Sequence, residues 1–193
     1  MDFGIEEKLI PGTILERTRM GGATGGEFLD KIFYITDGVM LAQIREIAGI
    51  DGSTLQNWLK RGWVVNPKNK MYTKDQLARI LLINMMRDTM QLCDISFLLT
   101  YVNGVPGDVS DDIIPESQLY DYVCRLLDRL IGAGELSRDS LIGLIDETIC
   151  DYVEKYSGAR GRLRRALEII VMSYYANLVK RKADRLVAEL RDR

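Results

Sequence analysis

Gln56, Asn57, Lys60 and Arg61 lie close together in the stretch Ser53-Thr54-Leu55-Gln56-Asn57-Trp58-Leu59-Lys60-Arg61-Gly62. Side-chain amides of Gln and Asn pair bidentately with adenine, while Lys and Arg serve guanine or phosphate. One short segment therefore carries both kinds of group that a reader of double-stranded DNA needs, with Thr54 beside them. Lys68 and Lys70, in the following Asn66-Pro67-Lys68-Asn69-Lys70 turn, add charge for the backbone. Catalytic chemistry has no comparable support. The chain contains no histidine, which removes the commonest general base, triad partner and transition-metal ligand together. Cys93, Cys124 and Cys150 are odd in number and far apart, so they read as reduced thiols outside any disulfide framework or CxxC motif. The expectation is a non-enzyme without catalytic residues, metal or cofactor.

The elements around these residues are punctuated by their own sequence. Ser53 followed by Gln56 reads as a capping box, and Gly62 supplies a left-handed stop. Leu55, Trp58 and Leu59 fall on one helical face, leaving Thr54, Gln56, Asn57, Lys60 and Arg61 on the other. Before this helix, Leu41, Ile44, Ile47 and Ala48 predict another over Met40–Ala48, broken by Gly49-Ile50-Asp51-Gly52. After it, Trp63-Val64-Val65 is strand-like and Met71-Tyr72 can return as a second strand, giving a small wing. Thr73 with Gln76 opens a helix through Asp88, apolar on most sides and hence central, in which Asn84 reads as a hydrogen-bonded structural group. A further helix over Leu92–Val102 ends at Asn103-Gly104.

Residues 1–38, with Pro11-Gly12 and the paired glycines Gly21-Gly22 and Gly25-Gly26, read as a flexible or loosely packed lead-in; no GK[ST] accompanies the glycines, so a phosphate loop is the weaker reading. Beyond residue 104, a loop rich in Asp108, Asp111 and Asp112 leads to a helix from Pro115 to about Ile131. Gly132-Ala133-Gly134 then breaks the chain, and Ser137 caps the next helix. The last helix, about 160–190, carries two stripes. Leu163, Leu167, Ile170, Tyr174 and Leu178 form one. Ile169, Met172, Ala176, Val179, Ala183, Leu186 and Leu190 form the other, with the 3,4 spacing of a coiled-coil seam suited to a homodimer. The organisation expected is a lead-in (1–38), a winged helix-turn-helix (39–104) and a helical dimerisation or effector region (105–193).

Over its 193 residues the chain has a net charge of -2, 47% hydrophobic and 28% charged residues, and no apolar run long enough for a membrane span. No secretory signal is visible, so a soluble, cytoplasmic protein without a membrane partner is expected. The charge is segregated. Residues 40–74 carry six basic and two acidic groups, residues 94–157 four basic and thirteen acidic, and residues 158–193 ten basic and four acidic. A basic face can thus coexist with an acidic body, because phosphate attraction acts over a Debye length of about 8 to 10 Å.

Residues 40–103 resemble the winged helix-turn-helix of MerR-type regulators. The likeness runs through Thr54-Leu55-Gln56-Asn57-Trp58, Gly62-Trp63-Val64, Pro67, Tyr72, Leu77, Leu92, Ile95 and Leu98-Leu99. The whole chain is also similar to a bacterial domain-of-unknown-function family with a MerR-like first half, through Lys60-Arg61-Gly62, Arg79-Ile80-Leu81, Ile83-Asn84, Asp111-Asp112-Ile113-Ile114 and Leu119-Tyr120. The resemblance implies a mainly α protein in which the winged unit precedes a helical bundle with a long C-terminal helix. It also implies a transcriptional regulator that binds a pseudo-palindromic site as a homodimer, with Thr54, Gln56, Asn57, Lys60, Arg61, Lys68, Lys70 and Tyr72 facing DNA.

Other readings compete. A helical protein-interaction module could retain the winged fold without DNA binding, in which case an apolar patch around Trp63 is expected. Asp108, Asp111, Asp112 and Glu116 could hold a hard cation, although acids before a helix are more often solvated or placed near its N-terminus. A small-molecule effector could enter the helical half, with Tyr120, Tyr122, Tyr174 and Tyr175 as lining, against their commoner role as core. The cluster Arg160, Arg162, Arg164 and Arg165 either contacts an anion or DNA or, more commonly, pairs with the acidic middle of the chain.

Overall fold

A computed structural model describes residues 7–133 and 138–191. Among these, a short 3-10 turn (Arg17–Met20) is followed by α1 (Gly25–Phe33), β1 (Val39–Met40), α2 (Leu41–Ala48), α3 (Gly52–Lys60), β2 (Met71–Tyr72), α4 (Lys74–Met86), α5 (Leu92–Asn103), α6 (Glu116–Ala133), α7 (Arg138–Thr148) and α8 (Ala159–Arg191). The architecture is mainly helical. No described helix is long and apolar enough to cross a membrane.

The centre is α4. Thr73 Oγ1 accepts from Gln76 N (3.3 Å) and Gln76 Oε1 accepts from Thr73 N (2.9 Å), so the capping box forms as its sequence predicts. From there Leu77 to Ile83, Met85 and Met86 are all buried, and α4 packs against α1, α2, α5, α6 and α8. Asn84 is held by two bonds from its Nδ2, to Gly12 O and Ala48 O (2.8 Å each), the structural role expected of it.

Residues 7–38 are packed, not a loose lead-in. Ile10, Phe28 and Leu29 are fully buried, α1 lies along α6, Tyr120 donates to Pro11 O (2.8 Å) and Arg17 pairs with Asp128 (2.5 Å). The apolar residues of this segment show no period: Ile10, Phe28 and Leu29 reach the common core, whereas Ile14, Tyr34 and Ile35 stay exposed. Gly25 and Gly26 open α1 because Asp121 sits against them: its Oδ1 accepts from Gly26 N (2.6 Å) and would lie only 2.6 Å from a Cβ on Gly25. That carboxylate occupies the helix N-terminus where a phosphate would otherwise be favoured. One hydrophobic cluster runs from Ile10 to Leu178 and so includes residues on both sides of position 104.

The strand pairing also differs from expectation. β2 pairs antiparallel with β1, Val39 opposite Tyr72 and Met40 opposite Met71, and Trp63–Val65 is not a strand. The reason lies in α4. Arg79 Nε donates to Trp63 O (2.6 Å) and Gln76 Nε2 to Val65 O (3.1 Å), so side chains satisfy carbonyls that a partner strand would have taken. Gly132 and Ala133 continue α6 instead of breaking it; Gly134 and the proposed Ser137 cap lie outside the described residues.

Candidate nucleic-acid interface

α3 begins earlier than its sequence suggests. Asp51, not Ser53, is the N-cap: its carboxylate accepts from Thr54 N (2.7 Å), Ser53 Oγ (2.5 Å) and Thr54 Oγ1 (3.0 Å). Aspartate caps as well as serine does, and its charge favours the positive end of the helix. These bonds, led by that from the Ser53 hydroxyl, hold the Asp51 carboxyl down at about 2. At the other end Gly62 adopts φ +70, with Gly62 N bonded to Leu59 O (3.0 Å) and Trp63 N to Trp58 O (3.0 Å), the paired bonds of a Schellman stop.

Between these ends Leu55, Trp58 and Leu59 are buried, while Gln56, Asn57, Lys60 and Arg61 are exposed and Thr54 is half-buried. The Arg61 guanidinium lies 5.1 Å over the Trp63 ring, which is only partly exposed, so no bare apolar patch surrounds Trp63. Arg61, Trp63, Thr54 and Asn57 line one side of an open cleft of about 450 Å³, closed on the other side by Gln91, Leu92 and Cys93 at the start of α5.

The turn after α3 adds two exposed lysines. Met71 N bonds to Lys68 O (2.9 Å) across Asn69 (φ +51) and Lys70 (φ +63), a tight turn of the primed type. Left-handed geometry suits asparagine and is unusual for lysine, a signal the sequence pattern did not reveal. Tyr72 does not share this surface. At 2% exposure it is part of the core, because the β1 pairing turns it inward.

Lys60, Arg61, Lys68 and Lys70 make no ion pair among the described residues. The arginines at the start of α8 are in contrast committed. Arg160 donates to Ile149 O (3.0 Å) and Tyr152 O (2.5 Å), Arg162 to Tyr101 O (2.9 Å), Arg164 pairs with Asp146 (2.9 Å) and Arg165 with Glu168 (2.8 Å). Three of the four acids considered for a cation are likewise occupied, and burial raises the carboxyl of the fourth, Asp112, above its usual value. Asp108 accepts from Ser110 and Asp111 from Val105 N, and Glu116 is buried against Arg79; burial raises the Glu116 carboxyl above its usual range. Among the described residues no group of three potential ligands is arranged to hold a metal ion.

On α8, Leu163, Leu167, Ile170, Tyr174 and Leu178 are buried in the subunit. Of the second stripe, Ile169 and Val179 are half-buried, and Met172, Ala176, Ala183, Leu186 and Leu190 are exposed. Tyr120, Tyr122 and Tyr174 are core, whereas Tyr175 is half-buried.

A family model described as Domain of unknown function (DUF1836) matches residues 27–123, half of the chain. Neither a curated protein nor a solved structure matches the sequence.

Proposed function

We propose that the chain, which belongs to this family of unknown function, is a DNA-binding transcriptional regulator of the winged helix-turn-helix, MerR-like class, acting as a homodimer on a pseudo-palindromic site. The observation that carries this reading is that Lys60, Arg61, Lys68 and Lys70, exposed on α3 and the turn after it, make no ion pair among the described residues, while the arginines at the start of α8 are tied to protein groups. Cations without carboxylate partners are free to displace counterions from phosphate. Gln56 and Asn57, exposed on the same helix, supply the amides for base edges, and the seam on α8 supplies the two-fold partner. A cytoplasmic location accords with this role.

Selection of bound fragments from random duplex DNA by the purified protein tests the reading, with enrichment of a symmetric motif expected. Lys60→Ala with Arg61→Ala should flatten the dependence of log K on log salt by about 0.9 for each phosphate that is no longer neutralised. Absence of enrichment together with an unchanged salt slope would sink the assignment. A protein-interaction module is the second reading, favoured by the outer face of α5, where Phe97 is 72% exposed with Tyr101 one turn away.

A further inference from the structure

An open cleft of about 260 Å³ lies where the N-terminal segment and the ends of α2 and α4 meet the middle of α8. Positions between helices are common ligand sites, and this volume, below that of pockets for drug-sized molecules, suits something smaller.

Asn84 lines the cleft, and its orientation is fixed. Both amide hydrogens are used on Gly12 O and Ala48 O, and a flipped amide would set its oxygen against those two carbonyls. Asn84 Oδ1 therefore points away from them and is buried, with no hydrogen bond from the described residues and no accessible surface at which a ligand could meet it; Asn84 is part of the cleft's wall and not a contact. Asp88, in the turn that follows α4, lines the cleft, is 61% exposed and accepts from Asn177 Nδ2 at 3.5 Å.

Donors for an anion stand beside this acceptor. Among the described residues Arg87 has only its neighbour Asp88 within ion-pair range, at 3.9 Å. Arg181 spends one nitrogen on the buried Glu7 carboxylate (3.1 Å) and is 40% exposed, leaving guanidinium hydrogens available. Apolar surface is present as well: Ile14 is 58% exposed and Met85 is buried, and both line the same cleft.

We infer that this cleft binds a small zwitterion of amino-acid size. Its ammonium is directed to Asp88, its carboxylate to Arg87 and Arg181, and its side chain to Ile14 and Met85.

Thermal melts of the full chain with each proteinogenic L-amino acid, followed by calorimetric titration of any that stabilise it, test the inference. At a concentration about ten times its Kd, a cognate amino acid should raise Tm by about 3 to 6 °C. Arg87→Ala and Asp88→Ala leave the Asn84 bonds and the Glu7 pair untouched, and each should weaken Kd by about tenfold. Reduced affinity in either variant supports the site. A wild-type Tm unmoved by every amino acid, or a shift that persists undiminished in both variants, overturns it. The readout involves no DNA, so failure here leaves the DNA-binding reading standing.

Discussion

Arg79 and Glu116 form a buried ion pair that joins the centre of α4 to the first turn of α6, and the same guanidinium donates through Nε to Trp63 O (2.6 Å). One side chain thus fixes the segment that follows α3, including the ring over which Arg61 lies. Side-chain exposures of 5% and 11% place both charges out of solvent.

Removal of either partner alone should cost about 3 to 5 kcal/mol, because it strands the other charge in the interior. Arg79→Ala and Glu116→Ala are each expected to lower the urea midpoint strongly. The paired replacement Arg79→Met with Glu116→Leu should recover most of that stability. It should not recover all, since Trp63 O is left without its donor, at about 1 kcal/mol. Equilibrium urea denaturation of the three variants checks both statements.

The Lys70 backbone gives a prediction in which stability and binding move in opposite directions. Its φ of +63 is left-handed, where glycine is at no disadvantage. Lys70→Gly should raise stability by about 1 kcal/mol. The same change should reduce the salt slope of DNA binding by about one unit if Lys70 touches phosphate. A variant that gains stability with an unchanged slope would separate Lys70 from the interface.

What the sequence revealed was written locally. The Thr73–Gln76 box, the Gly62 stop and the Leu55-Trp58-Leu59 face depend on residues within one or two helical turns, and all three form as read. The errors arose where a distant group decided the outcome. Trp63–Val65 looks like a strand until Arg79 and Gln76 take its carbonyls, and Gly25-Gly26 looks like a linker until Asp121 takes Gly26 N. Asp51 is a different case, a local competitor of Ser53 whose two oxygens accept three donors. Left-handed Lys70 left no trace in the pattern, because lysine is not a residue that announces positive φ.

Asp51 predicts a pH dependence confined to α3. Its folded pKa of about 2 lies below the ordinary 3.8, so its contribution to stability is complete above the ordinary value and disappears as pH falls through the folded one. Protection of the first-turn amides of α3, taken relative to intrinsic exchange at each pH, should fall over that acidic window in the wild type. Asp51→Asn keeps a capping oxygen but cannot titrate, and its protection should be flat across the window. Equal acid sensitivity in both proteins would remove the carboxylate from the cap.

The last prediction concerns the α8 seam. Leu186 and Leu190 are 49% and 69% exposed and lie beyond the part of α8 that the subunit core covers, so charging them should not disturb the fold of one subunit. Leu186→Glu with Leu190→Glu should convert a dimer to a monomer in sedimentation equilibrium, with helical content retained by circular dichroism. If two subunits bind two half-sites together, the monomer also forgoes the gain in effective concentration, and apparent DNA affinity falls by about 10²-fold or more. A wild-type protein that sediments as a monomer at micromolar concentration would instead leave this apolar face without a second copy to cover it.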